Sequence, residues 1–171
     1  MTNPVAGTGR RYQLLTPTVT TTTSIQANWM EGGRVATVGS TSNPVPGYGT
    51  HITGSSLPAN NLDHTQTDQP SLFSTSNGVT PAYTAFTNAN GTLNALKGYF
   101  LFVRGGRDVD LTKYNTNQAA NGWVNLPSSN TTLRATGTIQ KGPITGFTNP
   151  FVGGTGAWNL VTNPYPAPID W

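Results

Sequence analysis

The sequence predicts an all-β domain, a mainly antiparallel β-sandwich or jelly-roll-like fold with long loops. Three observations predict it. Residues 131–140 alternate: Leu133, Ala135, Gly137 and Ile139 fall on one face, and Thr132, Arg134, Thr136, Thr138 and Gln140 on the other. That is the period of a half-buried strand. Residues 98–105 (GYFLFVRG) form an apolar run of strand length, which implies burial on both faces and a central place in a sheet. Turn signals such as Asn77-Gly78, Asn90-Gly91 and Asn121-Gly122 punctuate the chain, as hairpins and tight connections require.

The elements follow in order. Residues 1–9 are small and polar and read as a flexible lead-in to a single domain over 10–171. Residues 12–15 are a short apolar run stopped by Thr16-Pro17. Residues 18–25 are rich in threonine, whose branched Cβ favours extended backbone. Residues 26–33 carry Trp29 and Met30, leave room for one helical turn, and end on a glycine pair that forces a change of direction. The stretch 39–61 is a long loop region with Tyr48 and His51 inside it, and loops on a rigid scaffold are where binding residues concentrate. Residues 82–86 form a further strand, 108–121 hold the one helical pattern, and 157–161 form a last short strand.

Charged residues make up 9% of the 171 positions, against about 25% in an average soluble domain. Thr, Asn, Ser and Gly replace them. So uncharged a surface offers little repulsion between copies and favours lateral association. The net charge of +3 comes from nine basic and six acidic residues. The basic ones are scattered, with no dense patch and no recognition helix, which argues against nucleic acid. There is no cysteine, so disulfides, thiolate metal sites and cysteine nucleophiles are absent together. No apolar run reaches the length of a membrane span, and no h-region opens the chain as a signal peptide would.

Little in the chain resembles a reaction centre. His51 and His64 with Asp63 and Asp68 are the one set of acid–base or metal-ligand type. A zinc site needs three or four well-placed ligands, and the simpler role for these groups is hydrogen bonding within loops. Asp108 and Asp110 have oxygen ligands at a spacing suited to calcium, with turn capping as the plainer alternative; no other cofactor is implied. No Gly-x-Ser-x-Gly elbow and no phosphate-binding loop appears. Trp29, Tyr48, His51 and Trp123 are the candidate binding residues, since exposed rings can stack on the apolar faces of sugars. Core or turn packing is the competing role for each ring. Tyr48, between two glycines, is the best placed to be exposed. Asn163-Pro164-Tyr165-Pro166 reads as architectural, because each proline fixes φ and removes a donor at the end of a ladder.

Six motifs occur in order. They are Trp29-Met30-Glu31-Gly32-Gly33, residues 46–54 (PGYGTHITG), residues 69–73 (QPSLF), residues 98–105 (GYFLFVRG), residues 131–138 (TTLRATGT), and Asn163-Pro164-Tyr165-Pro166 with Ile169-Asp170-Trp171. The set resembles a module of very large secreted surface proteins of Bacteroidetes, which carry a C-terminal sorting domain for type IX secretion and often immunoglobulin-like repeats. The resemblance covers residues 10–171. It implies an extracellular, cell-surface location and the class of a surface-protein module. With no reaction centre in the residues, the expected role is non-enzymatic, structural or adhesive, with other copies or neighbouring domains as partners and, through the loop aromatics, glycans. Two positions depart from the pattern. Gly106 precedes Arg107 where the family continues with Asp, and Thr162 precedes Asn163 where the family has Gly. The family pattern also runs on beyond the Asp-Trp pair. A chain that stops there is expected to be a fragment, a processed form or a shortened relative that completes its sheet with a neighbour's strand.

Overall fold

The computed structural model describes residues 11–33, 47–54, 60–63, 69–103, 106–107, 131–145 and 151–165. Among these residues there is no helix, and the strands form antiparallel sheets. The chain is all-β, as its patterning predicts.

Six strands are present: β1 (Arg11–Leu15), β2 (Val19–Thr21), β3 (Leu72–Thr75), β4 (Tyr83–Ala85), β5 (Tyr99–Val103) and β6 (Gly137–Ile139). One sheet has the order β1-β5-β3-β4, and β2 pairs with β6 in a second, two-stranded sheet. The apolar run therefore does lie centrally, as β5 between β1 and β3. Its register sets Tyr12 against Phe102, Leu14 against Phe100, Leu72 against Leu101 and Phe73 against Phe100.

Alternation along these strands sorts two faces. Leu72, Tyr99 and Leu101 point inward, where they join Ile25, Trp29, Met30, Ile52, Leu62, Ala89 and Leu93 in one buried cluster. The Tyr99 and Trp29 rings meet edge to face, with centroids 5.6 Å apart. The Tyr99 hydroxyl accepts a hydrogen bond from the Asn94 amide at 2.9 Å. Burial pushes the Tyr99 pKa up, and that hydrogen bond opposes the shift only in part.

The other face is where the expectation for β5 is corrected. Phe100 and Phe102 are not sealed under a second layer. They stand half-buried beside Tyr12, Phe73 and Tyr83.

Three further expectations change. The alternating stretch 131–140 keeps strand pairing only over Gly137–Ile139, and all three of those residues are exposed. Leu133 packs against the core, but Ile139, opposite Val19 of short β2, is 49% exposed. Near 157–161 the extended pairing reduces to a single bridge between Gly78 and Trp158. Over residues 26–33 the helical turn reduces to a run of successive turns. One α-type bond forms, from the Asn28 amide back to the Ser24 carbonyl, and Glu31 and Gly32 then take positive φ of 56° and 66°, which ends the spiral. The helical pattern at 108–121 and the lead-in at 1–9 lie outside the described residues.

Candidate functional site

The segment 47–54 is a loop by sequence and a hub in space. A loop that enters the interior must find a partner for each polar backbone group. The Gly49 amide donates to the Thr132 carbonyl and the Thr50 amide to the Trp29 carbonyl, both at 2.9 Å. The Asp63 amide donates to the Ile52 carbonyl, and Thr53 exchanges bonds with Ser71 and Gln69. Four segments thus converge, 29–33, 47–54, 106–107 and 131–136, and all of them but 106–107 lie within the ordered motifs.

At their centre lie three buried ionisable side chains. Asp63, His51 and Arg107 are each fully buried. The Arg107 guanidinium forks onto the Asp63 carboxylate, with Nη1 to Oδ2 at 2.6 Å and Nη2 to Oδ1 at 3.2 Å. His51 Nδ1 lies 2.7 Å from Asp63 Oδ2. An ionised carboxylate only accepts, so His51 carries its proton on Nδ1. Arg107 Nη1 also reaches the Thr50 carbonyl at 3.4 Å. Burial raises the Asp63 pKa. The His51 hydrogen bond and the Arg107 charge outweigh it and hold the carboxyl below its ordinary 3.8. The pair is neutral overall and its guanidinium is fork-bonded, the arrangement that lets a buried charge persist.

Glycine makes room for it. A Cβ on Gly33 would stand 2.6 Å from Arg107 Cζ, inside the guanidinium. Gly49 has φ +73°, and a Cβ there would meet Glu31 Cγ at 2.7 Å.

A second ion pair lies outside the first. Arg134 forks onto Glu31, with Nε to Oε1 at 3.1 Å and Nη2 to Oε2 at 2.6 Å. Its Cζ sits 3.9 Å above the Tyr48 ring, a cation–π contact.

This geometry reassigns three candidate binding residues. Trp29 is 3% exposed, so its ring cannot offer a face to a ligand. His51 is closed off in the core. Tyr48 is half-buried and one of its faces is taken by Arg134. The loop's glycines bend it inward rather than out to solvent. Trp123, Asp108, Asp110, His64, Asp68 and Pro166 lie outside the described residues. Among the described residues, no group of three or more His, Cys, Asp or Glu side chains is placed to hold a metal ion. Among the described residues, no helix is long and apolar enough to cross a membrane.

At the chain's far end, Asn163 Oδ1 accepts from the Tyr165 amide at 3.0 Å, and Pro164 is buried. The Tyr165 hydroxyl donates to the Gly142 carbonyl at 2.8 Å. These bonds shape a corner.

Sequence reasoning missed two things. It did not find Arg107 as the partner of His51 and Asp63, although the flanking glycines at 105–106 and the pair at 32–33 were a signal of close packing. It also missed the outer aromatic face. There Tyr12 stacks on Phe100 at 4.5 Å with an interplanar angle of 1°, and Tyr83 lies 5.0 Å from Phe100. Tyr12 and Tyr83 are 47% and 55% exposed.

No family model, no curated protein and no solved structure matches the chain.

Proposed function

We propose that the chain is a non-enzymatic structural or adhesive module of an extracellular bacterial cell-surface protein, one that associates with other copies through strand edges and so builds filaments. The observation that carries this reading is the outer face of the four-stranded sheet. Tyr12, Leu14, Phe73, Tyr83, Phe100 and Phe102 line it, and Leu14 is 54% exposed. Contiguous apolar surface of this kind marks a site of contact with another macromolecule. The low charge of the chain removes the repulsion that would oppose such contact. The burial of His51, Asp63 and Arg107 speaks for scaffold and against reaction, because a general base must reach its substrate. The resemblance of the ordered motifs to those of large secreted Bacteroidetes surface proteins supports the location and the class.

Light scattering across a range of concentrations tests the reading. Mass that rises with concentration is expected. A strictly monomeric particle at high concentration would remove the proposal.

Trp158, 70% exposed on a loop, favours a second reading, a carbohydrate-binding module that stacks sugars on exposed rings. A glycan array separates the two. Binding that Trp158→Ala abolishes and Tyr48→Ala leaves intact would support the glycan reading.

A further inference from the structure

We propose that β1 is the assembling edge, and that it takes β1 of a second copy, antiparallel, about a two-fold axis through Gln13. This rests on the reading that copies associate, and it names the contact.

The backbone decides which groups β1 offers. The Phe102 amide donates to the Ser71 carbonyl at 2.7 Å, so Phe102 turns its polar groups toward β3. Alternate residues of an antiparallel strand face opposite neighbours. Phe100 therefore also faces β3, and Leu101 faces β1. Gln13, opposite Leu101, is hydrogen-bonded to β5. Tyr12 and Leu14 then direct their N–H and C=O groups away from β5, to the open side, where no described residue pairs with them. The two residues with open backbone are the same two whose side chains are exposed, at 47% and 54%.

The edge also carries few of the devices that block pairing. Charged side chains, prolines, bulges and short length all protect edges. β1 has five residues, its one charge is Arg11 at the first position, and from Tyr12 to Leu15 there is no charge, proline or glycine. The other edges are poorer. β4 has three residues and follows Pro81. β6 has three, with Lys141 and Pro143 close behind. The second side of β2 is filled. Thr21 donates to the Leu93 carbonyl, and the Leu93 and Ala95 amides donate to the Thr21 and Thr20 hydroxyls.

A second copy is the occupant because the edge is complementary to itself. A two-fold axis at Gln13 sets Tyr12 of one copy opposite Leu14 of the other, twice. Both members of each pair point their donors and acceptors at the partner strand. Gln13 meets its own equivalent as a non-hydrogen-bonded pair, the close one. The two four-stranded sheets join into one, and their aromatic outer faces become continuous. Such an interface is isologous and closes on a dimer. A filament of these dimers would grow through a different contact.

Two variants test this. Leu14→Lys places a charge on the edge without touching the core. It is expected to weaken dimerisation by about tenfold or more while the melting of the monomer stays unchanged. Gln13→Cys introduces the chain's sole cysteine. Close antiparallel pairs have Cα atoms about 4.5 Å apart, within the range a disulfide spans. Mild oxidation is expected to give a covalent dimer in high yield, and Leu14→Cys a poor yield. Association that persists in Leu14→Lys, or equal cross-linking at both positions, overturns the β1 assignment and leaves self-association standing. A wild-type chain that stays monomeric at every concentration overturns both.

Discussion

Two regions of this molecule reverse the usual placing of residues. The cluster of His51, Asp63 and Arg107 sinks ionisable groups to zero exposure, while the outer face of the four-stranded sheet lifts Tyr12, Leu14 and Tyr83 into solvent. Each placement is expensive taken alone. The buried charges are tolerated because a forked guanidinium and a ring N–H satisfy the carboxylate. The open rings are tolerated because they stack on one another, Tyr12 on Phe100 and Phe100 beside Tyr83, which covers part of their surface. The polar cluster ties three chain segments into one position and is closed to solvent. The aromatic face ties nothing further inside the described chain and faces outward. Rigidity and contact are thus divided between different residues.

The largest test of this division is Asp63→Asn. It leaves Arg107 buried without its counter-charge and is expected to cost about 3–5 kcal/mol of stability, measured by denaturant unfolding. A loss below about 1 kcal/mol would mean that the cluster does not hold the fold. Replacing both partners, Asp63→Leu with Arg107→Met, should cost less than the two single changes summed, because no charge is stranded. Gly33→Ala is the next in size. Its methyl group would enter the guanidinium, and overpacking of this kind costs about 1–3 kcal/mol. An unchanged midpoint would show that Arg107 can move aside.

Acid sharpens the comparison. The folded-state pKa of Asp63 lies below its ordinary 3.8. Its stabilisation is therefore fully present above that value and is lost as pH falls through the lower folded value. Unfolding midpoints followed from pH 7 downward should hold until about pH 4 and then drop. Asp63→Asn should flatten that drop, and an equal acid response in the variant would assign the drop to other carboxylates. The smallest effect is expected outside. Tyr83→Ser should change stability by no more than about 0.5 kcal/mol, yet lower the binding of a hydrophobic dye. If it unfolds the domain instead, the outer face is part of the core.

Much of the fold was legible in the residues. The strands β1, β4 and β5 stand where apolar runs meet turn signals, because such runs have few other ways to bury themselves. The alternation at 131–140 misled, because a period of two states which side chains share a face but not whether anything covers that face. Ile139 has the right spacing and stays exposed. The polar cluster was half legible. His51 and Asp63 stood out as residue types, with loop hydrogen bonding as their simpler role. Arg107 is separated from Asp63 by 44 positions, and no local pattern reports a partner so distant. The inward course of 47–54 was equally hidden, since its glycines suit an exposed turn as well as a buried one. Only the bonds to Trp29, Thr132 and Gly106 decide between them.

The strand order has a kinetic consequence. β1 is made first, yet its partner β5 begins only at Tyr99, and the Thr136 amide closes onto Asn28 across 108 positions. Chains dominated by such remote pairings fold slowly, because loop closure must come before the contacts that reward it. While residues 16–98 are still being synthesised, the Tyr12–Leu15 ribbon waits with both its edges unpaired. Crowded nascent chains would meet one another through that ribbon before they finish folding, so ribosome spacing and synthesis rate should govern the yield of soluble protein.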